Sequence, residues 1–437
     1  MKEGVARCQE WLPRKNRRCA AAALPHFPYC GNHKPSDVET RIACPVDPTH
    51  TILEKEAEAH ARRCPRVLHM QKMKQMLYYC KGANAGSDDE VENGTTDCKS
   101  GELDDDVHGR TDTVEEGHVS SKIKRSLFNS ITKEELIELI EKVEFAYNLH
   151  CSDKFQLTVE HPAACKKWFS ADIDRRIPFQ EKHVLQQASM LGNMESFGLL
   201  RSRDSSVEQV TPSNPDLEPV FVEFGAGRGY LAHMLADCYI AQKIVLVERR
   251  SYKFKADRTL RQNPDVVLER VRIDIEDLNL DGVDALQDRH YVAFSKHLCG
   301  HATDLTLRCC RPDLISQSSR RHLDGLAIAT CCHHICQWKP YVNKEFFKQL
   351  GFSKKEFHVI TWLTSGAVSG NKGHAVDARN LSASCLNPSV LESPTNFEGY
   401  AEEKGGDNVN GWLTSFVDRA EFGLKCKRLL DVGQGSS

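Results

Sequence analysis

The run Val222-Glu-Phe-Gly-Ala-Gly-Arg-Gly229 constrains this chain more than any other stretch. A strand that meets glycine at alternate positions has to turn there. Gly225, Gly227 and Gly229 permit positive φ and let the backbone approach a ligand closely. Tyr230 to Cys238 then reads as a helix whose free N–H groups face whatever sits above the turn. The spacing is G-x-G-x-G, not the G-x-G-x-x-G of a dinucleotide site. Glu223 stands two residues before the first of these glycines, and the next apolar run, Lys243 to Val247, ends in a second acid, Glu248. An acid about twenty residues beyond the turn is where a βαβ unit holds a ribose diol.

From Pro219 onward strand and helix patterns alternate. Strands are expected at 220–224, 243–247, 268–273, 291–295 and 325–330. Helices are expected at 229–238, 252–262 and 302–310, with a short one near 282–288. Such alternation gives an α/β fold with a parallel sheet and right-handed crossovers. Ligands then bind at the carboxyl ends of the strands, where the strand order reverses. Asp274, after the third strand, is placed to meet an adenine ring. The glycine turn and its two acids resemble the signature of class I, Rossmann-like methyltransferases, a resemblance that implies S-adenosylmethionine as ligand.

Upstream, Thr132-Lys-Glu-Glu135 is a capping box, with Ile131 and Leu136 as its hydrophobic staple. Leu136, Ile137, Ile140, Val143 and Tyr147 make one helical stripe, and a second helix is expected from Glu181 to Leu191. An insert at 331–410 interrupts the alternation; its second half, Ala367 to Asn410, is rich in Ser, Gly and Asn and reads as a loop. A last helix is expected at about 412–431.

Charge is unevenly spread along the 437 residues, although the net formal charge is only -3. Residues 1–80 are basic, with Arg14-Lys15-Asn16-Arg17-Arg18, Arg62-Arg63 and Lys72-Met73-Lys74. That asymmetry suits a nucleic-acid-binding N-terminus, and charge alone equally allows solvated basic faces. Residues 83–120, with Ser87-Asp-Asp-Glu90 and Asp104-Asp-Asp106, read as an acidic disordered linker. The chain carries 18 cysteines behind an N-terminus with no apolar leader. No stretch suits a membrane span. An intracellular protein of the nucleus, the cytoplasm or both is expected, with reduced thiols whose clusters mean metal rather than disulfides.

Cys8, Cys19, Cys30 and His33 form C-x10-C-x10-C-x2-H, a closed donor set that suits structural tetrahedral zinc. Arg7, Arg14, Lys15, Arg17 and Arg18 surround it, as phosphate contact would require. Cys44, His50, His60 and Cys64 form C-x5-H-x9-H-x3-C. His60 and Cys64 are one helical turn apart, and Thr51 to Arg63 reads as the helix that supplies them. A third cluster, Thr330-Cys-Cys-His-His-Ile-Cys336, follows the fifth strand. Neighbouring residues of a strand point oppositely, so a substrate-shaping loop is favoured there over a metal site.

Ser295-Lys-His-Leu-Cys-Gly300 follows the fourth strand. Polar Lys296 and His297 directly after a buried strand mark a reaction centre, and Asp304 lies one helical turn beyond His301. The bland alternative is that Asp304 pairs locally and His297 is an edge histidine. Methyl transfer to a hydroxyl needs alignment and removal of a proton. Lys296 could stabilise the oxyanion, and His297 or His333 could take the proton.

Taken together, several motifs resemble the eukaryotic tRNA 2′-O-methyltransferases that modify the ribose of nucleotide 4 in the acceptor stem. They are the two fingers, H-x-x-Q-Q-A-S-x-L-G-N (His183 to Asn193), V-E-F-G-A-G-x-G, the run Ser295 to Asp304, and C-C-H-H-x-C. The second finger is also similar to the CHHC finger of a minor-spliceosome protein. The resemblance covers residues 5–70 and roughly 130–365. It implies S-adenosylmethionine as donor, tRNA as substrate and zinc in the fingers. The implied layout is a CCCH finger at 5–35, a CHHC finger at 41–68, the linker at 83–120 and a methyltransferase domain at 125–437. Family members continue into two further strands that close the sheet as a hairpin. Here that hairpin is expected to be missing, leaving the fifth strand an open edge. Two rivals stand beside this reading. One is an RNA-binding zinc-finger protein with an inactive methyltransferase fold. The other is a protein or DNA methyltransferase, whose amine-methylating site would carry Asn/Asp-Pro-Pro-aromatic where this chain has Ser295-Lys-His-Leu.

Overall fold

A computed structural model describes residues 6–12, 17–33, 41–48, 50–88, 118–156, 158–169, 181–203, 218–252, 255–311, 321–366 and 409–435. It divides into two compact units, one reaching Met76 and one beginning at Leu77. Among the described residues no helix is long and apolar enough to cross a membrane.

The larger unit is built on β1 (Val220–Phe224), β2 (Lys243–Val247), β3 (Val267–Val271), β4 (His290–Leu298) and β5 (His322–Thr330). Their order is β3-β2-β1-β4-β5, and every pairing is parallel. The chain therefore steps outward from β1 in both directions, and the switch point lies between β1 and β4. All five residues of β1 are buried. A strand covered on both faces reads as a continuous apolar run, which is why β1 and β2 have the expected bounds. Among the described residues β5 pairs only with β4, and no antiparallel hairpin follows it.

Helices α1 (Ser121–Asn129) and α2 (Lys133–His150) precede α3 (Glu181–Ser196). The crossovers are α4 (Tyr230–Cys238), α5 (Lys255–Gln262) and α6 (His301–Cys310). Then come α7 (Lys344–Gln349), α8 (Lys354–Leu363), α9 (Val409–Phe416) and α10 (Arg419–Gly435). The capping box of α2 forms: the Thr132 hydroxyl accepts from Glu135 N at 3.2 Å and Glu135 Oε2 accepts from Thr132 N at 2.9 Å. The buried stripe of α2 is Leu136, Leu139, Ile140, Val143 and Ala146, slightly rotated from expectation. It packs with Phe357, Ile360, Phe422 and Leu429 into one core. A second core joins Leu191 and Met194 of α3 and Leu231 and Leu235 of α4 to Phe221 and Phe294 of the sheet.

Several expectations differ from what folds. No α-helix forms at 282–288. Short 3-10 turns occupy Ile275–Asp277, Leu280–Gly282 and Asp284–Leu286 instead. Asp274 and Asn279 cap the first two through their side chains, which competes with a continuous helix. The last helix is two, because Asp418 Oδ1 accepts from Ala420 N at 2.9 Å and Glu421 N at 2.8 Å and starts α10 afresh. Of the acidic linker, 89–117 lies outside the described residues, as does 367–408 of the insert. The start of the linker is packed rather than loose. Buried Asn84 donates from Nδ2 to Ile275 O at 2.6 Å and Leu278 O at 2.8 Å, and Gly82 N donates to Asp277 Oδ1 at 2.8 Å. An amide that satisfies two buried carbonyls outweighs the polar composition around it.

In the smaller unit, Trp11–Leu12 pairs with Arg17–Arg18 and Arg41–Ala43 with Thr51–Leu53, both antiparallel. The helix expected over 51–63 begins only at Ala57, because β-branched Thr51 and Ile52 enter a strand pair. Cys64 closes that helix and Pro65 opens the next, Pro65–Met73. Arg14, Lys15 and Asn16 lie outside the described residues, while Arg17, Arg18, Arg62 and Arg63 are exposed.

Candidate active site and metal centres

The turn after β1 takes the shape its glycines allow. Gly225, Gly227 and Gly229 have φ of 60°, 53° and 73°. Gly229 is the N-cap of α4. A Cβ added at Gly227 would meet only Gly225 O, at 4.0 Å, so open space lies above the middle glycine. The two acids hold the turn in different ways. Glu223, only 4% exposed, accepts from Ala232 N at 3.1 Å and ties β1 to α4. Glu248 accepts from Gly227 N at 2.9 Å through Oε2 and from Arg250 N at 2.8 Å through Oε1. Arg270 Nη1 donates to Gly227 O at 3.1 Å from β3. Each carboxylate oxygen of Glu248 keeps a further lone pair for an incoming hydroxyl. Asp274, at the end of β3, pairs with Arg249 Nη1 at 3.1 Å and spans the mouth of β2 and β3. Gly225, Gly227, Gly229, Glu248 and Asp274 thus gather at the carboxyl edge, an arrangement that fits a nucleoside ligand, whereas buried Glu223, expected to bind the donor, instead ties the turn to α4.

The residues expected to meet the acceptor lie at the end of β4. Ser295 Oγ donates to Phe224 O at 2.7 Å, which locks β4 to β1 at the switch point. Lys296 is 8% exposed, with Nζ 3.4 Å from His183 Nδ1 and donating to His183 O at 3.3 Å. Burial pulls its ammonium down to about 8, and Glu223 opposes that pull. The rings of His297 and His183 stand edge to face, centroids 6.3 Å apart. His297 is exposed on its outer side; desolvation, then the charges of Lys296 and His183, hold it below the ordinary imidazole value. A Cβ on Gly225 would lie 3.6 Å from Leu298 Cδ1 and 3.7 Å from His297 O, so the turn and the end of β4 are adjacent. Below Lys296 and His297 a cleft of about 950 Å³ runs between α3 and β5, lined by Gln186, Met190, Asn193, Phe197 and Ile328 among others.

The sequence reading missed His183 as a partner of Lys296. It stands first in the His183–Asn193 run, which was its only local signal. His333 goes elsewhere. It is 5% exposed, its Nε2 is 2.7 Å from Asp431 Oδ1 on α10, and its Nδ1 is 3.3 Å from Cys331 O. With both ring nitrogens engaged it anchors the loop, and the proton-acceptor reading narrows to His297. Asp304 is fully buried, accepts from Val342 N at 3.2 Å and Gln434 Nε2 at 3.0 Å, and is pushed up by burial to about 7. Its role is local, as the bland reading had it.

Both finger donor sets converge. The ligand atoms of Cys8, Cys19, Cys30 and His33 lie within 4.8 Å of one another, as do those of Cys44, His50, His60 and Cys64. In the first, His33 Nδ1 is 3.4 Å from both Cys8 Sγ and Cys30 Sγ. In the second, Cys44 Sγ is 3.9 Å from Cys64 Sγ and the two Nε2 atoms are 3.0 Å apart. A tetrahedron with Zn–S bonds of about 2.3 Å has sulfur edges of about 3.8 Å, so these sets fit zinc.

Residues 185–436 match the family profile described as "Methyltransferase TRM13", and 6–34 match "CCCH zinc finger in TRM13 protein". The chain is 41% identical to the rice (Oryza sativa subsp. japonica) protein named tRNA:m(4)X modification enzyme TRM13, over 57% of this chain and 91% of that relative. It is 29% identical to the mouse (Mus musculus) protein named as the TRM13 homolog, over 98% of this chain and 88% of the relative. The corresponding human (Homo sapiens) homolog is 28% identical, again over 98% and 88%. No solved structure matches.

Proposed function

The chain belongs to the TRM13 methyltransferase family, and on that premise we propose that it methylates the ribose 2′-hydroxyl of nucleotide 4 in the tRNA acceptor stem, with S-adenosylmethionine as donor. The observation that carries this reading is that the open glycine turn lies against Leu298 and the backbone of His297 at the end of β4. S-adenosylmethionine, when bound, supplies a methyl group on a positively charged sulfur that an aligned hydroxyl can take. Glu248 and Asp274 are assigned to the ribose and adenine of the donor, and Glu223 to holding the turn that receives it. His297, neutral at neutral pH, accepts the hydroxyl proton. Lys296, still charged there, stabilises the negative charge that grows on the oxygen. His183 holds the Lys296 amine in place. The two fingers, at 5–35 and 41–68, are assigned to phosphates of the stem through exposed arginines, Arg17, Arg18, Arg62 and Arg63 among them.

The test is incubation of tRNA that lacks this modification with the protein and labelled donor, followed by mapping of the label. Label on the ribose of nucleotide 4 is expected; label on a base or at another position overturns the assignment. RNA binding without any donor binding would turn the reading to a non-catalytic RNA-binding protein. The rate should rise through the depressed His297 titration and fall above about pH 8, where Lys296 loses its proton. Lys296→Arg should carry the alkaline limb to higher pH, since guanidinium stays charged. An unchanged limb in that variant removes Lys296 from the mechanism.

A further inference from the structure

The loops after β4 and β5 bring together a group of sulfurs that the reaction above does not use. Cys299 follows β4; Cys331 and Cys332 follow β5. Cys299 Sγ is 3.1 Å from Cys331 Sγ, and the three sulfurs all lie within 4.8 Å of one another. This is the same convergence that the two finger sets show.

The scaffold around these sulfurs is clamped from several sides. Gly300, with φ of 57°, lets the first loop press against Ile335 and Cys336, where a Cβ would collide with the Ile335 side chain and backbone. Lys124 of α1, wholly buried, donates to His334 O at 2.9 Å and Cys336 O at 2.5 Å. His333 is held by Asp431 of α10 at 2.7 Å. Gln337 Oε1 accepts from Val119 N at 2.9 Å. These anchors fix both loops and leave the sulfurs facing each other. Thiols are weak donors and weak acceptors, so they gain little from one another as hydrogen-bond partners. A soft divalent ion satisfies all of them at once.

We propose that Cys299, Cys331 and Cys332 hold a further divalent ion of the zinc class, which clips the end of β4 to the end of β5 beside Lys296 and His297. The objection that adjacent strand residues point oppositely does not hold here. Strand β5 ends at Thr330, and a 3-10 turn follows at His333–Ile335. Cys331 and Cys332 therefore lie in a turning segment, and Cys299 adds a ligand from the neighbouring strand end. The Cys299–Cys331 separation of 3.1 Å is longer than a disulfide bond of about 2.05 Å. Opening it to a tetrahedral edge of about 3.8 Å takes less than about 1 Å of movement. Binding is not a redox step: the thiols lose their protons to solvent, the sulfurs donate their electron pairs, and the ion keeps its oxidation state. Three thiolates leave one coordination position to a solvent molecule, as in other three-ligand zinc sites.

Native mass spectrometry of the full chain, prepared with zinc and a phosphine reductant, counts the ions directly. About three per chain are expected, one for each finger and one here. Cys331→Ser should lower the count by about one, whereas Cys80→Ser, outside the cluster, should leave it unchanged. Cobalt loaded in place of zinc should give thiolate-to-cobalt absorption that Cys299→Ser weakens. A wild-type count of about two that falls to none when both fingers are disabled overturns the site. So does a metal-loaded chain lighter by one pair of hydrogens with a Cys299–Cys331 bond. The wild-type count needs no substitution to fold, and none of these readouts depends on methyl transfer.

Discussion

The CHHC finger and the central sheet cohere by different means. The buried apolar cluster of the finger is Cys44, Ile52 and Cys64, with Ile42, Val46, Ala57 and Val67 packed partly against it. Two of its three buried members are ligands. The sheet is covered by α3 and α4 through a large cluster in which Leu191, Leu231, Leu235, Ile244 and Phe294 are all nearly inaccessible. A module with so little apolar burial needs an ion to stay ordered, whereas the sheet does not. The difference matches the division of roles proposed above. With a metal held by its four donors, the finger would offer a rigid basic surface. The sheet holds a turn, a lysine and two histidines in place by packing and by hydrogen bonds such as Glu248 to Gly227 N and Lys296 Nζ to His183 O.

Each half of that contrast can be broken separately. His60→Ala removes a ligand from a metal whose binding is worth about 10 kcal/mol or more in such modules, so the finger should unfold. Zinc content should drop by about one equivalent while the thermal transition of the sheet stays where it was. Loss of both together would show that the two units share their stability. Phe294→Ala is the converse experiment. Phe294 is 0% exposed, and its truncation should cost about 3–5 kcal/mol in denaturant unfolding with zinc content unchanged. Gly227→Asp puts a carboxylate into the open space above the turn and also strains the backbone there, since φ is 53°. Donor affinity, read by calorimetry, should fall about 100-fold or more, equivalent to about 2.7 kcal/mol. An unaltered affinity would remove the glycine turn from the donor pocket. Thr132→Ala, which removes the cap of α2, should cost only about 1 kcal/mol in the same unfolding assay.

Much of the sheet and of the donor side was legible in the residues. β1 and β2 are continuous apolar runs, the capping box of α2 is a four-residue pattern, and the glycine turn announces its own positive φ. The two convergent donor sets follow from spacing, since pairs such as Cys30/His33 and His60/Cys64 are close in the chain. Less was visible wherever a polar group met its partner far along the chain. Asn84 lies in a stretch of linker-like composition, and only its two distant carbonyls make it part of the core. The same holds for His333, whose sequence neighbours suggest chemistry and whose partner is Asp431 on α10.

Local pattern determined the elements: strand and helix periods, caps and turns depend on residues a few places apart, and each finger donor set lies within one short segment, so the chain carries them in plain order. The tertiary structure decided the pairings. It set His183 against Lys296 from 113 residues away and brought Cys299 to Cys331 from 32 residues away. The physical reason is that a side chain's protonation and ligand chemistry depend on burial and on its neighbours in space. Both come into being only when the helices close over the sheet.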